Sequence, residues 1–182
     1  MRFVLWGVEE IGLLGSTAYA EAHAKELAAV RFYLNMDAAG SSDMRRDVVL
    51  NEWPALQPLF EGWRDEMALD FAVGQSLNAH SDHYPFFLAG VPTGGIQSAT
   101  RSLEGRGYGH TQFDTVDKVH RADLREAASL AARVALRVAN QKPWPVTHRS
   151  AGAASELLDG PAYREEKALK ERVDAYHAQR AG

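Results

Sequence analysis

An α/β sandwich built on a central, largely parallel or mixed sheet flanked by helices is the fold this sequence predicts. Three observations predict it. Apolar runs of strand length alternate with longer stretches of helical periodicity. Acidic residues follow directly on two of those runs, where open α/β sheets gather their reactive groups. The chain has 182 residues, 46% of them hydrophobic and 24% charged, a composition suited to burying a core.

Phe3-Val-Leu-Trp-Gly-Val8 is a continuous apolar run and predicts a buried strand. Gly12 and Gly15 mark a tight connection, and Ser16 is a candidate N-cap for an alanine-rich helix to about residue 28. Val30 to Met36 predicts a second buried strand ending at Asp37, followed by a loop over Ala38 to Arg46. Val48 to Leu50 reads as a short strand, Pro54 as the start of a helix to about Met67, and Leu69 to Val73 as another strand. Ser81 is a candidate cap for a short helix through Leu88 that Gly90 ends. Pro92 to Ile96 predicts a strand with the proline at its first position. Ala99 to Lys118 reads as one long connection rich in glycine, arginine and threonine, a length typical of functional or disordered segments. The clearest helix covers residues 123–140, with Leu124, Ala127, Ala128, Ala131, Val134, Ala135 and Val138 on its apolar stripe. Domain organisation follows: residues 1–142 are expected to form the catalytic part, and residues 143–182 a charged, mostly helical C-terminal extension that stands off the core.

Composition excludes several classes. With no cysteine there is no disulfide, thiolate ligand or cysteine nucleophile, so any metal must be held by His, Asp or Glu. A formal charge of −4 offers no basic surface for nucleic acid. No apolar run approaches the roughly 18 residues that cross a bilayer, and no signal peptide is visible, which leaves localisation unassigned. A Gly-x-Ser-x-Gly elbow, a strand-borne Gly-x-Gly-x-x-Gly loop and a His-Glu-x-x-His helix are all missing from the sequence; Gly105-Arg-Gly-Tyr-Gly109 follows no predicted strand.

Four residues stand out. Glu9 and Glu10 are adjacent carboxylates at the end of an apolar run; neighbours in extended chain point to opposite sides, so the two can serve different purposes, one towards a metal and one towards substrate. The competing reading is an acidic pair at a helix entry. Asp37 ends the second run, where an Asx-turn is the alternative. His110 sits among glycines that let backbone approach a site closely, or it is a plain exposed loop histidine. In the dense cluster His80, Ser81, Asp82 and His83, Ser81 reads as a cap, with Asp82 and His83 supporting a site rather than forming it. His23, His120, His148 and His177 read as surface residues.

Together and in order, these segments resemble a known family. Arg2-Phe-Val-Leu-Trp-Gly-Val-Glu-Glu-Ile-Gly-Leu-Leu-Gly-Ser16, Leu34-Asn-Met-Asp37, Ser81-Asp-His-Tyr-Pro-Phe86 with Ala89-Gly-Val-Pro92, and Gly109-His-Thr-Gln-Phe-Asp-Thr-Val-Asp-Lys-Val119 look like four motifs of the co-catalytic zinc exopeptidases of the bacterial leucyl aminopeptidase type. Glutamate carboxypeptidases and glutaminyl cyclases belong to the same superfamily. The resemblance covers residues 1 to about 140. It implies Glu9 as general base, Glu10 and His110 as ligands of one zinc ion, Asp37 as ligand of a second, and a peptide as substrate. Carboxylate oxygen and imidazole nitrogen are donors that zinc accepts.

Two departures qualify what is implied. The family also uses a His-x-Asp motif and a metal-bridging aspartate upstream of the Glu-Glu segment, whereas the eight residues before Glu9 contain neither His nor Asp. The expectation is a C-terminal part of the fold lacking its first strands, weakly active or inactive alone. A sheet that starts at Phe3 exposes an edge or an apolar face, which favours a homo-oligomer or completion by an N-terminal segment. Second, some members carry a tyrosine just before the last histidine; here that position is Gly109, and Tyr108 is one residue too early. Aminopeptidase is the favoured activity. A carboxypeptidase or dipeptidase would need a cation for the substrate carboxylate, with Arg101 and Arg106 as candidates, and a non-catalytic interaction domain is the third reading.

Overall fold

The computed structural model of the chain describes residues 1–37, 46–98 and 108–180. They fall into two units, one of Met1–Tyr33, Leu77–Thr93 and Val146–Gly182, the other of Leu34–Ser76 and Gly94–Pro145.

The second unit holds the sheet. Strands β1 (Tyr33–Met36), β2 (Arg46–Leu50), β3 (Val73–Gln75) and β4 (Thr93–Ser98) lie in the order β1-β4-β2-β3. Pairing is parallel between β2 and β3, with Val48 opposite Val73, and antiparallel between β2 and β4, with Val48 opposite Ile96. The sheet is therefore mixed, and the chain is α/β as expected. Strand β2 has a neighbour on each side, and Val48, Val49 and Leu50 are all buried, which is why that run reads as continuous rather than alternating. Between β2 and β3 a 3-10 turn, Pro54–Leu56, leads into helix α3 (Gln57–Met67), which buries Phe60 and Trp63 with ring centroids 4.8 Å apart. Ala68 closes α3 in the left-handed conformation. The chain then needs residues 69–72 to return to the sheet, where the Ala72 N–H donates to the Asp47 carboxylate at 2.8 Å. That detour places β3 later than the expected Leu69 to Val73.

Helix α5 (Arg121–Asn140) also belongs to this unit; its buried face is Asp123, Ala127, Leu130, Ala131, Val134 and Val138. Leu124 and Ala128, expected on that face, are exposed. An alanine-rich helix carries more than one weakly apolar stripe, and packing rather than periodicity selects among them. No helix among the described residues is long and apolar enough to cross a membrane.

The first unit joins three distant chain segments. Helices α1 (Leu14–Ala22) and α2 (Ala24–Leu27), the short α4 (Tyr84–Leu88), α6 (Ala151–Asp159) and α7 (Arg164–Arg180) build it. One core cluster combines Leu13, Leu77, Ala79, Tyr84, Phe87, Ala154 and Leu158. A second combines Ala20, Leu27, Phe86 and Val91, with Trp6, Tyr19, Val30 and Tyr33 packed against it.

Several expectations change here. Phe3 to Val8 pairs with no strand among the described residues: Phe3 is 88% and Leu5 99% exposed, while Trp6 turns inward onto Phe86 and donates its indole N–H to the Tyr33 hydroxyl at 2.8 Å. The run has strand chemistry, but a strand needs a neighbour to satisfy its backbone. Ser16 does not cap α1. The helix begins three residues earlier, at Leu14, after Leu13 in the left-handed conformation, and the buried Ser16 hydroxyl donates to the Leu13 carbonyl. Ser81 does not cap α4 with its side chain either; its backbone carbonyl accepts the Tyr84 N–H.

The tail is not an appendage. Ala154 and Leu158 of α6 sit in the core with Phe87, and Glu166 of α7 accepts the Ala79 N–H at 2.6 Å. His148, read as a surface residue, donates its Nε2–H to the Val30 carbonyl at 2.7 Å. Another of the set, His23, pairs with Glu26 and stacks on Tyr19. At Gly90, φ is +81° and a Cβ would lie 2.0 Å from the Arg149 carbonyl oxygen, so only glycine permits this crossing.

Two consequences are measurable. Leu158→Ala should cost about 2–4 kcal/mol in urea unfolding, as for a buried core leucine, whereas Leu169→Ala, on an exposed site of α7, should stay within about 0.5 kcal/mol. Burial, with Glu166, Asp174 and Glu171 nearby, pushes the Tyr84 hydroxyl up to about 12. An unfolded tyrosine ionises near about 10, so stability is full below that pH and is lost as pH rises through the folded value. Tyr84→Phe should flatten this alkaline loss in a stability profile.

Candidate functional site

Glu9 and Glu10 stand in the first unit, in a turn that two backbone features shape. Gly12 N–H and Leu13 N–H both donate to the Glu9 carbonyl, each at 3.0 Å. Leu14 and Gly15 N–H groups reach back to the Val8 and Gly7 carbonyls. A Cβ on Gly15 would lie 2.5 Å from the Gly7 carbonyl oxygen, so the start of α1 meets this segment backbone to backbone. Val8 (φ 64°), Gly12 (φ 121°) and Leu13 (φ 60°) all take positive φ. For Val8, a β-branched residue, that is a strained choice of order 1–3 kcal/mol, the kind held only where surrounding structure over-determines it. Glu9 is half-buried and Glu10 exposed, so the adjacent carboxylates do sit in different surroundings.

Asp37 and His110 stand in the second unit. Asp37 follows the last residue of β1 and is exposed. His110 is exposed within a turn around Thr111, whose N–H and hydroxyl both donate to the Tyr108 carbonyl, at 3.1 and 2.6 Å. It has φ +62°, in the left-handed region that histidine tolerates better than most side chains. Lys118 stands 5.2 Å over the Tyr108 ring, and it also pairs with Asp117, whose carboxyl it holds below the ordinary carboxylate range together with the Thr115 hydroxyl.

The donors have the right chemistry for zinc, yet among the described residues no three of His, Asp or Glu come close enough together to hold a metal ion. A catalytic zinc takes three protein ligands, so the described residues do not by themselves fit the group. In the cluster at residues 80–83, Ser81 and His83 are buried, Asp82 is half-buried and His80 is exposed. Arg101 and Arg106 lie outside the described residues, as do most of the loop over Ala38 to Arg46 and the first half of the connection over Ala99 to Lys118. What the sequence reading missed is the backbone crossing of Gly15 on Gly7. Its one visible signal was the spacing of glycines around the acidic pair.

Comparisons with known proteins agree in direction. The profile of peptidase family M28 matches residues 1–135. Leupeptin-inactivating enzyme 1 of Streptomyces exfoliatus is 30% identical over 125 residues, covering 66% of this chain and 28% of that protein. An aminopeptidase of Pseudomonas aeruginosa is 29% identical over 146 residues, covering 71% of this chain and 27% of that protein. The chain thus spans between a quarter and a third of these relatives. Among solved structures, a zinc aminopeptidase from Bacillus subtilis superposes with a TM-score of 0.60 at 23% identity, over 79% of this chain and 37% of that one. A glutaminyl cyclase from an Acidobacteriales bacterium superposes with a TM-score of 0.54 at 25% identity, over 69% and 45%. Such likenesses show a shared fold.

The strained turn at His110 yields a direct test. His110→Gly should change stability by no more than about 1 kcal/mol, relief of the left-handed backbone being offset by the lost imidazole interaction and the added freedom of the unfolded chain. A clear loss of stability by thermal unfolding would make the imidazole a structural group instead.

Proposed function

The chain belongs to peptidase family M28, and from that premise we propose that it carries part of an aminopeptidase site that releases N-terminal residues from peptides. The observation that carries this reading is that the family match, residues 1–135, contains all four residues singled out by chemistry: Glu9, Glu10, Asp37 and His110. The relative from Pseudomonas aeruginosa is named an aminopeptidase, and its similarity runs over 71% of the chain.

In the proposed arrangement Glu9 is the general base, Glu10 and His110 serve one zinc ion and Asp37 a second. The half-buried position of Glu9 suits a base that must be shielded from bulk water, and the exposed Glu10, Asp37 and His110 suit ligands that open outward. Two ligands for one ion and one for the other fall short of a working set. The isolated chain is therefore proposed to be weakly active or inactive, with the remaining donors coming from outside these residues.

A carboxypeptidase or dipeptidase of the same superfamily is the second reading, and a non-catalytic interaction domain the third. Hydrolysis separates the two peptidase readings. Slow release from an amino-acid anilide, without cleavage of an N-blocked dipeptide, is the expected result, with zinc well below one ion per chain after dialysis. The reverse substrate preference would assign the carboxypeptidase or dipeptidase, and an absence of turnover fits an inactive partial site as well as a non-catalytic domain. Where turnover is measurable, Glu9→Gln should lower it by about 100-fold or more while zinc content stays the same. Unchanged turnover in that variant would remove Glu9 from the mechanism.

A further inference from the structure

Helices α6 and α7 lie beyond residues 1–135, the part that the family profile matches, yet α7 reaches back onto that part. Its Glu166 carboxylate accepts the Ala79 N–H at 2.6 Å, across 87 positions of sequence. Ala79 is 2% exposed and stands in the irregular stretch 76–81 that leads from β3 towards α4. Leu77 and Ala79 pack in the core with Leu158 of α6. Backbone shut off from water in this way needs an acceptor from the protein, and a helix from the C-terminal end of the chain supplies it.

Charge rather than apolar burial holds α7 in place. Glu166, Lys167, Lys170 and Val173 are half-buried and share one face of the helix, and no described side chain of α7 is buried. Three of those four are charged. Lys167 pairs with Asp159 of α6, and Lys170 with Asp174 on its own helix. Beneath α7 a cleft of about 230 Å³ opens at Tyr84, Leu88 and Leu158, so the helix does not close on the core there. Exposed charge pairs are individually weak, and salt screens them over roughly 8–10 Å at ordinary ionic strength. A helix of 17 residues that leaves its support is marginal in water and frays.

We propose that α7 is an electrostatic latch. Docked, its Glu166 carboxylate orders residues 76–81; released by high ionic strength, it frees them. Those residues run directly into Ser81-Asp-His-Tyr-Pro-Phe86, one of the four segments that resemble the family, so the latch sets how firmly that segment is held. The device involves none of Glu9, Glu10, Asp37 and His110, and it stands or falls separately from the peptidase reading.

Amide hydrogen exchange in the 182-residue chain, resolved by NMR at Ala79, Lys170 and Glu171, tests it. Phe87 and Val48 serve as references, their N–H groups donating to the His83 and Ala72 carbonyls. Raising sodium chloride from about 20 mM to about 1 M should speed exchange at Ala79, Lys170 and Glu171 together by about 3- to 10-fold and leave both references within about 2-fold. Glu166→Ala should speed the same three amides by about 10-fold or more. Glu166→Gln, which loses the charge but keeps an acceptor, should speed them less. Three results would each overturn the proposal. One is unchanged exchange at Ala79 in Glu166→Ala. Another is faster exchange at Ala79 alone, with Lys170 and Glu171 unaffected, which marks a lone hydrogen bond and not a docked helix. The third is a wild-type chain whose Ala79 amide ignores salt, or responds no more than Phe87; this comparison needs no variant and decides the matter even if Glu166→Ala loosens the whole fold.

Discussion

Two contacts of backbone on backbone, each possible only because one partner is glycine, organise the first unit. Gly90 lies against the carbonyl of Arg149, and Gly15 against the carbonyl of Gly7. A Cβ at either position would overlap main-chain atoms, which cannot rotate away as a side-chain end can. The Gly90 crossing brings residues 146–150 onto the loop after α4, where the Arg149 N–H donates to the Gly90 carbonyl and His148 donates to Val30. Once that segment is anchored, α6 can place Ala154 and Leu158 on Phe87. Without it, a charged C-terminal stretch would have little reason to dock.

The Gly15 crossing acts at the other end of the same unit. It forces the acidic pair into a turn, with Val8 and Leu13 at positive φ, and so gives Glu9 and Glu10 unequal exposure. Backbone strain of this kind is worth keeping only where the surrounding structure or the chemistry demands it. His110 repeats the pattern in the second unit: a non-glycine residue at positive φ within glycine-rich sequence. Two of the motifs by which the sequence resembles the M28 peptidases thus contain non-glycine residues at positive φ, as do Glu52 and Ala68 outside them.

The same unit shows how a polar surface helix is held by its packing. Helix α7 is almost uniformly polar along its length, so nothing in its own periodicity assigns it a buried face. It is held by Glu166, which accepts the Ala79 N–H, by the ion pair of Lys167 with Asp159 of α6, and by further contacts with α6. A helix attached in this way leaves space beneath it, and the cleft at Tyr84 is that space.

Sequence alone determined the class of the fold, the existence of most elements and the identity of the acidic and histidine residues at issue. Those depend on local chemistry: apolar runs, proline and glycine placement, and donor types that a metal would accept. The strand at Val48 to Leu50, the helices after Pro54 and before Asn140, and Asp37 at the end of β1 were legible for that reason. Only tertiary structure decided the rest. Phe3 to Val8 has the composition of a strand but no neighbour to pair with among the described residues, and pairing is a property of two segments, not one. The buried stripe of α5 was chosen by what packs on it. Ser16 and Ser81 lost their capping roles to backbone carbonyls. The tail joined the core because Gly90, 59 residues before Arg149, leaves room for it, and no local reading can see a contact between residues so far apart.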